Sequence, residues 1–85
     1  MEDELELNSD EDLNQVRRKL RSAAEQLQFT KHEETRLITA ASEICRNVLN
    51  YTPGGRVHIQ SRTDPTRGLE VEFQDDGPGI DDLDQ

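Results

Sequence analysis

Two short runs carry the residue types that could do chemistry in this chain. In "ASEICRN", Glu43 and Asn47 stand four residues apart, which on a helix puts them roughly 40° from each other and stacked on one side. In "FQDDGPGI", an alternation of apolar and polar residues ends at Asp75 and Asp76 and passes into Gly77, Pro78 and Gly79. The first run offers a proton-accepting carboxylate beside an amide; the second sets a carboxylate just ahead of backbone that must turn tightly. Each alone is ordinary. E-x-x-x-N most often marks a solvated helix face, and Asp and Gly after a strand most often mark a turn. Together, in this order and separated by a hairpin, they form a much rarer combination.

The remaining reactive side chains offer less. His32 falls in the first turn of a helix and His58 on the polar side of a strand, so both read as exposed spectators. Cys45 lies on an apolar stripe and reads as a small buried hydrophobe; as the single cysteine it cannot form an internal disulfide, and no Cys/His spacing suits zinc. The acids Asp75, Asp76, Asp81, Asp82 and Asp84 lack the spacing of an EF-hand loop, and Pro78 interrupts them.

The elements that must position the two runs follow from periodicity. A strand over residues 4–7 precedes helix caps at Asn8, Ser9 or Asp10, and Leu13, Val16, Leu20, Ala23 or Ala24, and Leu27 then form one helical stripe. Thr30 and Glu33 have capping-box spacing, with Phe29 placed to staple the entry of a second helix. Its core face reads Leu37, Ile38, Ala41, Ile44, Cys45 and Val48, and Pro53, Gly54 and Gly55 stop it. Val57 and Ile59, then Leu69, Val71 and Phe73, alternate with polar residues as two strands, and "SRTDPTRG" between them predicts an antiparallel hairpin. Helices with one stripe and strands with one dry face cover each other in a two-layer α/β sandwich of order β-α-α-β-β.

Composition bounds the rest. A chain of 85 residues that is 31% hydrophobic, with Phe29, Tyr51 and Phe73 as its aromatics, is one small domain with a limited core. The longest apolar run covers only residues 37–41 and the acidic start "MEDELEL" is no signal peptide, so a soluble, cytoplasmic protein without membrane contact is expected. Ten basic against 19 acidic residues give a net charge of −9, which argues against nucleic acid as a partner. Arg17, Arg18, Lys19 and Arg21 form a local basic cluster, read first as a wet helix face and second as a docking patch for an acidic protein.

The stretches "AASEICRNVLNYTPGGRVHI" and "GLEVEFQDDGPGI" closely resemble the Bergerat-fold ATP-binding domains of the gyrase, chaperone, histidine kinase and MutL superfamily. S-E-x-x-R-N and D-x-G-P-G-I are most similar to the anti-sigma-factor serine/threonine kinases of bacterial partner-switching cascades, the switch-kinase type. The resemblance runs from about residue 5 to the end. It implies helices on one face of a mostly antiparallel sheet, and binding of ATP with Mg²⁺. It also implies transfer of the γ-phosphoryl group to a serine or threonine of a small antagonist protein of the STAS type, with a sigma factor or phosphatase as further partner. Carried over by residue, Asn47 supplies an amide oxygen to Mg²⁺, Glu43 is the general base, and Asp75 accepts from the exocyclic amine of adenine. Gly77 and Gly79 let backbone approach the base without a Cβ in the way, and Pro78 stiffens the turn.

The family continues past this point into a lid and a second glycine-rich phosphate-binding segment, and nothing in these 85 residues resembles either. Residues 1–85 are therefore expected to be the N-terminal part of a kinase-like ATP-binding domain, an incomplete Bergerat fold. Its open sheet edge calls for a partner or a second copy, a homodimer. A different reading keeps the fold as a non-enzymatic interaction module or inactive fragment, with the acidic surface and the Arg17 to Arg21 cluster selecting the partner.

Overall fold

A computed structural model describes residues 2–62 and 68–75. Strand β1 (Glu2–Leu7) leads through a tight corner into helix α1 (Asp10–Gln26), and helix α2 (Lys31–Tyr51) follows. Strands β2 (Gly55–Arg62) and β3 (Gly68–Asp75) complete the order β-α-α-β-β. The sheet is antiparallel throughout with β2 in the centre, so the hairpin and the two-layer arrangement stand as expected. Residues 63–67, the tip of that hairpin, and residues 76–85 lie outside the described residues.

Local chemistry explains each boundary. Ser9 caps α1 by accepting from the Asp12 N–H at 3.2 Å, and the Asp12 carboxylate accepts from the Asn8 N–H at 2.8 Å. Asp10, Glu11 and Asp12 add negative charge where the helix dipole favours it. At the other end Phe29 N–H donates to Ala24 and Gln28 N–H to Glu25, a Schellman closure that holds Gln28 at a φ of 62°. The capping box of α2 is complete: Glu33 N–H donates to Thr30 Oγ1 and Thr30 N–H to Glu33 Oε1. The position a hydrophobic staple would fill, four residues after Thr30, holds Glu34, whose buried carboxylate faces Arg21 at 3.5 Å. An ion pair takes the place of the apolar contact that Phe29 suggested.

The core lies between the helices and one sheet face. Leu7, Val57 and Ile59 from the sheet meet Leu13, Val16 and Leu20 of α1 and Ala41, Cys45 and Val48 of α2. Ile44 is not among them. It is 43% exposed, because it sits about 100° round the axis from Cys45, on the far side of the arc that touches α1 and the sheet. Ser42 takes the buried position instead, its Oγ accepting from Arg17 Nε at 2.9 Å. Helix α1 packs on β1 and β2, and α2 on α1 and β1, so Leu69, Val71 and Phe73 of β3 are only half-buried. The dry face read from sequence is therefore fully dry on β2 alone.

The opposite sheet face is polar. His58 is part of it, as the alternation predicts, but half-buried where full exposure was expected: it hydrogen-bonds Glu2 at 2.7 Å and lies 3.9 Å from Glu72 on the other neighbouring strand. Position on the central strand gives it carboxylates on both sides. Among the described residues no helix is long and apolar enough to cross a membrane.

Candidate functional site

Helix α2 sets out the first run. With Ala41, Ser42, Cys45 and Val48 turned inward, Glu43 and Asn47 fall on the outer side one turn apart, both exposed. Neither side chain makes a hydrogen bond or ion pair among the described residues, so their oxygens are unspent. Glu43 also forms part of the rim of a groove of about 390 Å³ between α1 and α2. Ile44 and Tyr51, the latter 80% exposed, flank Asn47 three residues before and four after it. These two apolar side chains escaped the sequence reading, which put Ile44 in the core; the signal for Tyr51 was its place in the last turn, beyond the inward stripe.

Strand β3 sets out the second run. Asp75 is its last residue and pairs with Gly55, which pairs in turn with Leu7. By the alternation of the strand, Asp75 shares the face of Val71 and Phe73, the face the helices cover, and it is half-buried there. Gly55 permits this row: a Cβ on it would strike the Gln74 carbonyl oxygen and come within 2.9 Å of the Asp75 Cα. Gly54, at a φ of +147°, makes the turn that joins α2 to β2, and the Thr52 hydroxyl ties that turn to Val48 O at 2.7 Å. Three residues, Thr52 to Gly54, thus join the end of α2 to Gly55, the partner of Asp75, and Asn47 is about 6 Å of helix rise from the last residue of α2. Gly77 and Gly79 lie outside the described residues.

Two titrating groups nearby are displaced from ordinary behaviour. Burial pushes the Cys45 thiol up to about 11, against a smaller opposing pull from the Arg17 cation. Asp3 is held below its ordinary value chiefly by its hydrogen bond to Lys19, at 2.7 Å. Among the described residues no group of three His, Cys, Asp or Glu side chains could hold a metal ion. An Mg²⁺ at this site would then take one protein oxygen from Asn47 and fill its shell from nucleotide phosphates and water, a donor set that suits a hard, reluctantly dehydrated cation.

Among the described residues, a three-stranded antiparallel sheet is covered on one side by two helices, and α2 leads into the strand paired with β3, which ends at Asp75: a small two-layer α/β domain. Residues 7–85 match the family model of the histidine kinase-like ATPase domain, and the chain belongs to that family. It is similar to the serine/threonine-protein kinase RsbT of Bacillus subtilis (strain 168), with 36% identity over 64 residues, 74% of this chain and 48% of that protein. The chain spans about half the length of this curated relative. No solved structure gives a significant match.

Proposed function

We propose that this chain is the nucleotide-binding part of an ATP-dependent serine/threonine kinase that phosphorylates a small antagonist protein in a cytoplasmic partner-switching cascade. What supports the reading is the pairing of Glu43 and Asn47, exposed and unspent one turn apart on α2, with Asp75 at the adjoining strand end, inside a chain that belongs to the histidine kinase-like ATPase family. The Asp75 carboxylate accepts from the exocyclic amine of adenine, a group guanine lacks at that position. Ile44 and Tyr51 offer apolar surface beside Asn47 against which a purine and its sugar can lie. Asn47 would hold Mg²⁺ through its amide oxygen, and the cation would supply neutralisation of phosphate charge. Glu43 takes the proton from the attacking serine or threonine hydroxyl and so holds it away from the developing oxygen–phosphorus bond.

The test is thermal. Saturating Mg-ATP at about a hundred times its dissociation constant raises apparent stability by about 2.7 kcal/mol if one site binds the folded state alone. Mg-GTP gives a much smaller shift, and Asp75→Asn, which turns an acceptor toward a donor, removes the ATP effect. A wild-type melting curve unmoved by Mg-ATP overturns the proposal.

A further inference from the structure

The helix pair carries a groove that the proposed nucleotide site touches only at Glu43. Two adjoining depressions, about 390 and 300 Å³, share Arg21, Ile38 and Thr39 and run along the seam between α1 and α2. From Glu34 to Arg46 the seam is about 18 Å long at the rise of a helix. Ile38, half-buried, is the one apolar residue of its lining among the described residues, and its walls carry Arg17, Arg21, Lys31 and Arg46 against the carboxylates of Glu34 and Glu43. That excess of cations stands on a molecule whose net charge is −9.

Internal structure accounts for only part of the positive charge. Arg17 is spent on Ser42 and Asn14, and Arg21 on buried Glu34. These contacts fix the two helices against each other and set the width of the groove. Lys31 and Arg46 make no ion pair or hydrogen bond among the described residues and stand exposed at opposite ends of the seam. Neither folding nor helix capping uses them. Cations placed at the first turn of α2, where the dipole disfavours positive charge, work slightly against the helix; Lys31 is such a residue.

We infer that the α1–α2 groove is a docking site for a carboxylate-rich amphipathic helix of a partner protein, whose apolar face meets Ile38 and whose acids meet Arg46, Lys31 and the Arg17–Arg21 wall. Charge complementarity selects this occupant: the bulk of the molecule repels acidic chains, so only a segment that reaches the groove itself is held. A protein is favoured over nucleic acid because Glu34 and Glu43 interrupt the cationic wall and the wider surface opposes a polyphosphate. A single apolar anchor, Ile38, in a seam with flanking charge suits a helix laid along it with one apolar contact and several acidic ones. Since Glu43 stands on the same rim, a partner docked here lies next to the candidate catalytic face, although the docking itself needs no nucleotide.

The experiment uses fluorescent peptides and no ATP, so its failure is separate from a failure of nucleotide binding. The probe is a helical peptide of about 16 residues with leucines on one face and glutamates on the other, long enough to span the seam. Fluorescence anisotropy at about 50 mM salt should show saturable micromolar binding that weakens as salt screens it. The paired substitution Lys31→Glu and Arg46→Glu should weaken it by about tenfold or more, while Arg36→Glu, on α2 outside the groove, should change it less than about twofold. Circular dichroism confirms that each variant keeps its helices. Equal binding of the same peptide with glutamines in place of glutamates overturns the proposal, as does indifference to the paired substitution. Oligothymidine of about 20 nucleotides binding as tightly, and with the same sensitivity, would also overturn it by making the groove a general polyanion site.

Discussion

In the proposed function Asn47 and Glu43 have different work on one helix face, magnesium binding and proton transfer, and single substitutions separate the two roles. Asn47 offers an oxygen to a cation that the nucleotide brings, so Asn47→Ala should leave magnesium-free nucleotide binding unchanged and abolish the additional affinity that Mg²⁺ provides. Isothermal titration with and without EDTA reads the difference, and an unchanged Mg²⁺ increment would remove the residue from the site. Glu43 makes no such contribution to binding, since its role belongs to proton transfer. Both side chains are exposed and make no contact among the described residues, so neither change should lower the melting temperature appreciably. Asp75 differs: it is half-buried in a row with Gly55 and Leu7, and its variant is best kept isosteric.

Among the elements, the turn between α1 and α2 sets the angle of the helix pair and hence the groove. Its closure puts Gln28, a residue with a Cβ, at a φ of 62°. Left-handed backbone costs an L-residue about 1–2 kcal/mol, and glycine avoids that cost while losing more freedom on folding. Gln28→Gly should therefore stabilise the domain by about 0.5–1 kcal/mol, seen as a higher urea midpoint at unchanged slope. A lower midpoint would show that the Gln28 side chain contributes more than its backbone strain costs. The other end of α2 is less forgiving. Gly54 at a φ of +147° is strained for any side chain and lies against the Asn8 side chain, while a Cβ on Gly55 would strike the β3 backbone and press β2 away from the strand that carries Asp75.

For the molecule as a whole, the core is one-sided. It is dense between α1, α2 and β2 and thins across β3, whose apolar residues are half-covered. Cys45 lies at its centre, fully buried, and serves as an internal reporter of folding. With its folded value raised by burial from the ordinary thiol value of 9.0 to about 11, the neutral thiol is the form the core accepts. The stability linked to that preference is whole below pH 9 and is lost as pH rises through 11, on the order of 2 kcal/mol in all. Urea midpoints should fall over that interval in the wild type and stay flatter in Cys45→Ala, after allowance for the cavity; parallel curves would mean the thiol is not buried in solution. The acid side behaves oppositely: Asp3, held low by Lys19, supports the fold above its ordinary value and ceases to do so as pH falls further.

Sequence by itself determined the order of elements, the capping box at Thr30 and the inward stripe of α1, because periodicity and capping are properties of neighbours in the chain; Glu43, Asn47 and Asp75 are singled out by resemblance to a family motif. It misplaced Ile44, and it named no partner for Glu34 or for His58, because those depend on which arc of α2 meets α1 and which strands flank β2. Tertiary packing alone decided that Ser42 and Glu34 are buried against Arg17 and Arg21, that β3 is only half-covered, and that Lys31 and Arg46 end up along one seam. Helical spacing gives each residue an angle on its own axis. The distance between two axes, and so the groove between them, exists only once the helices pack.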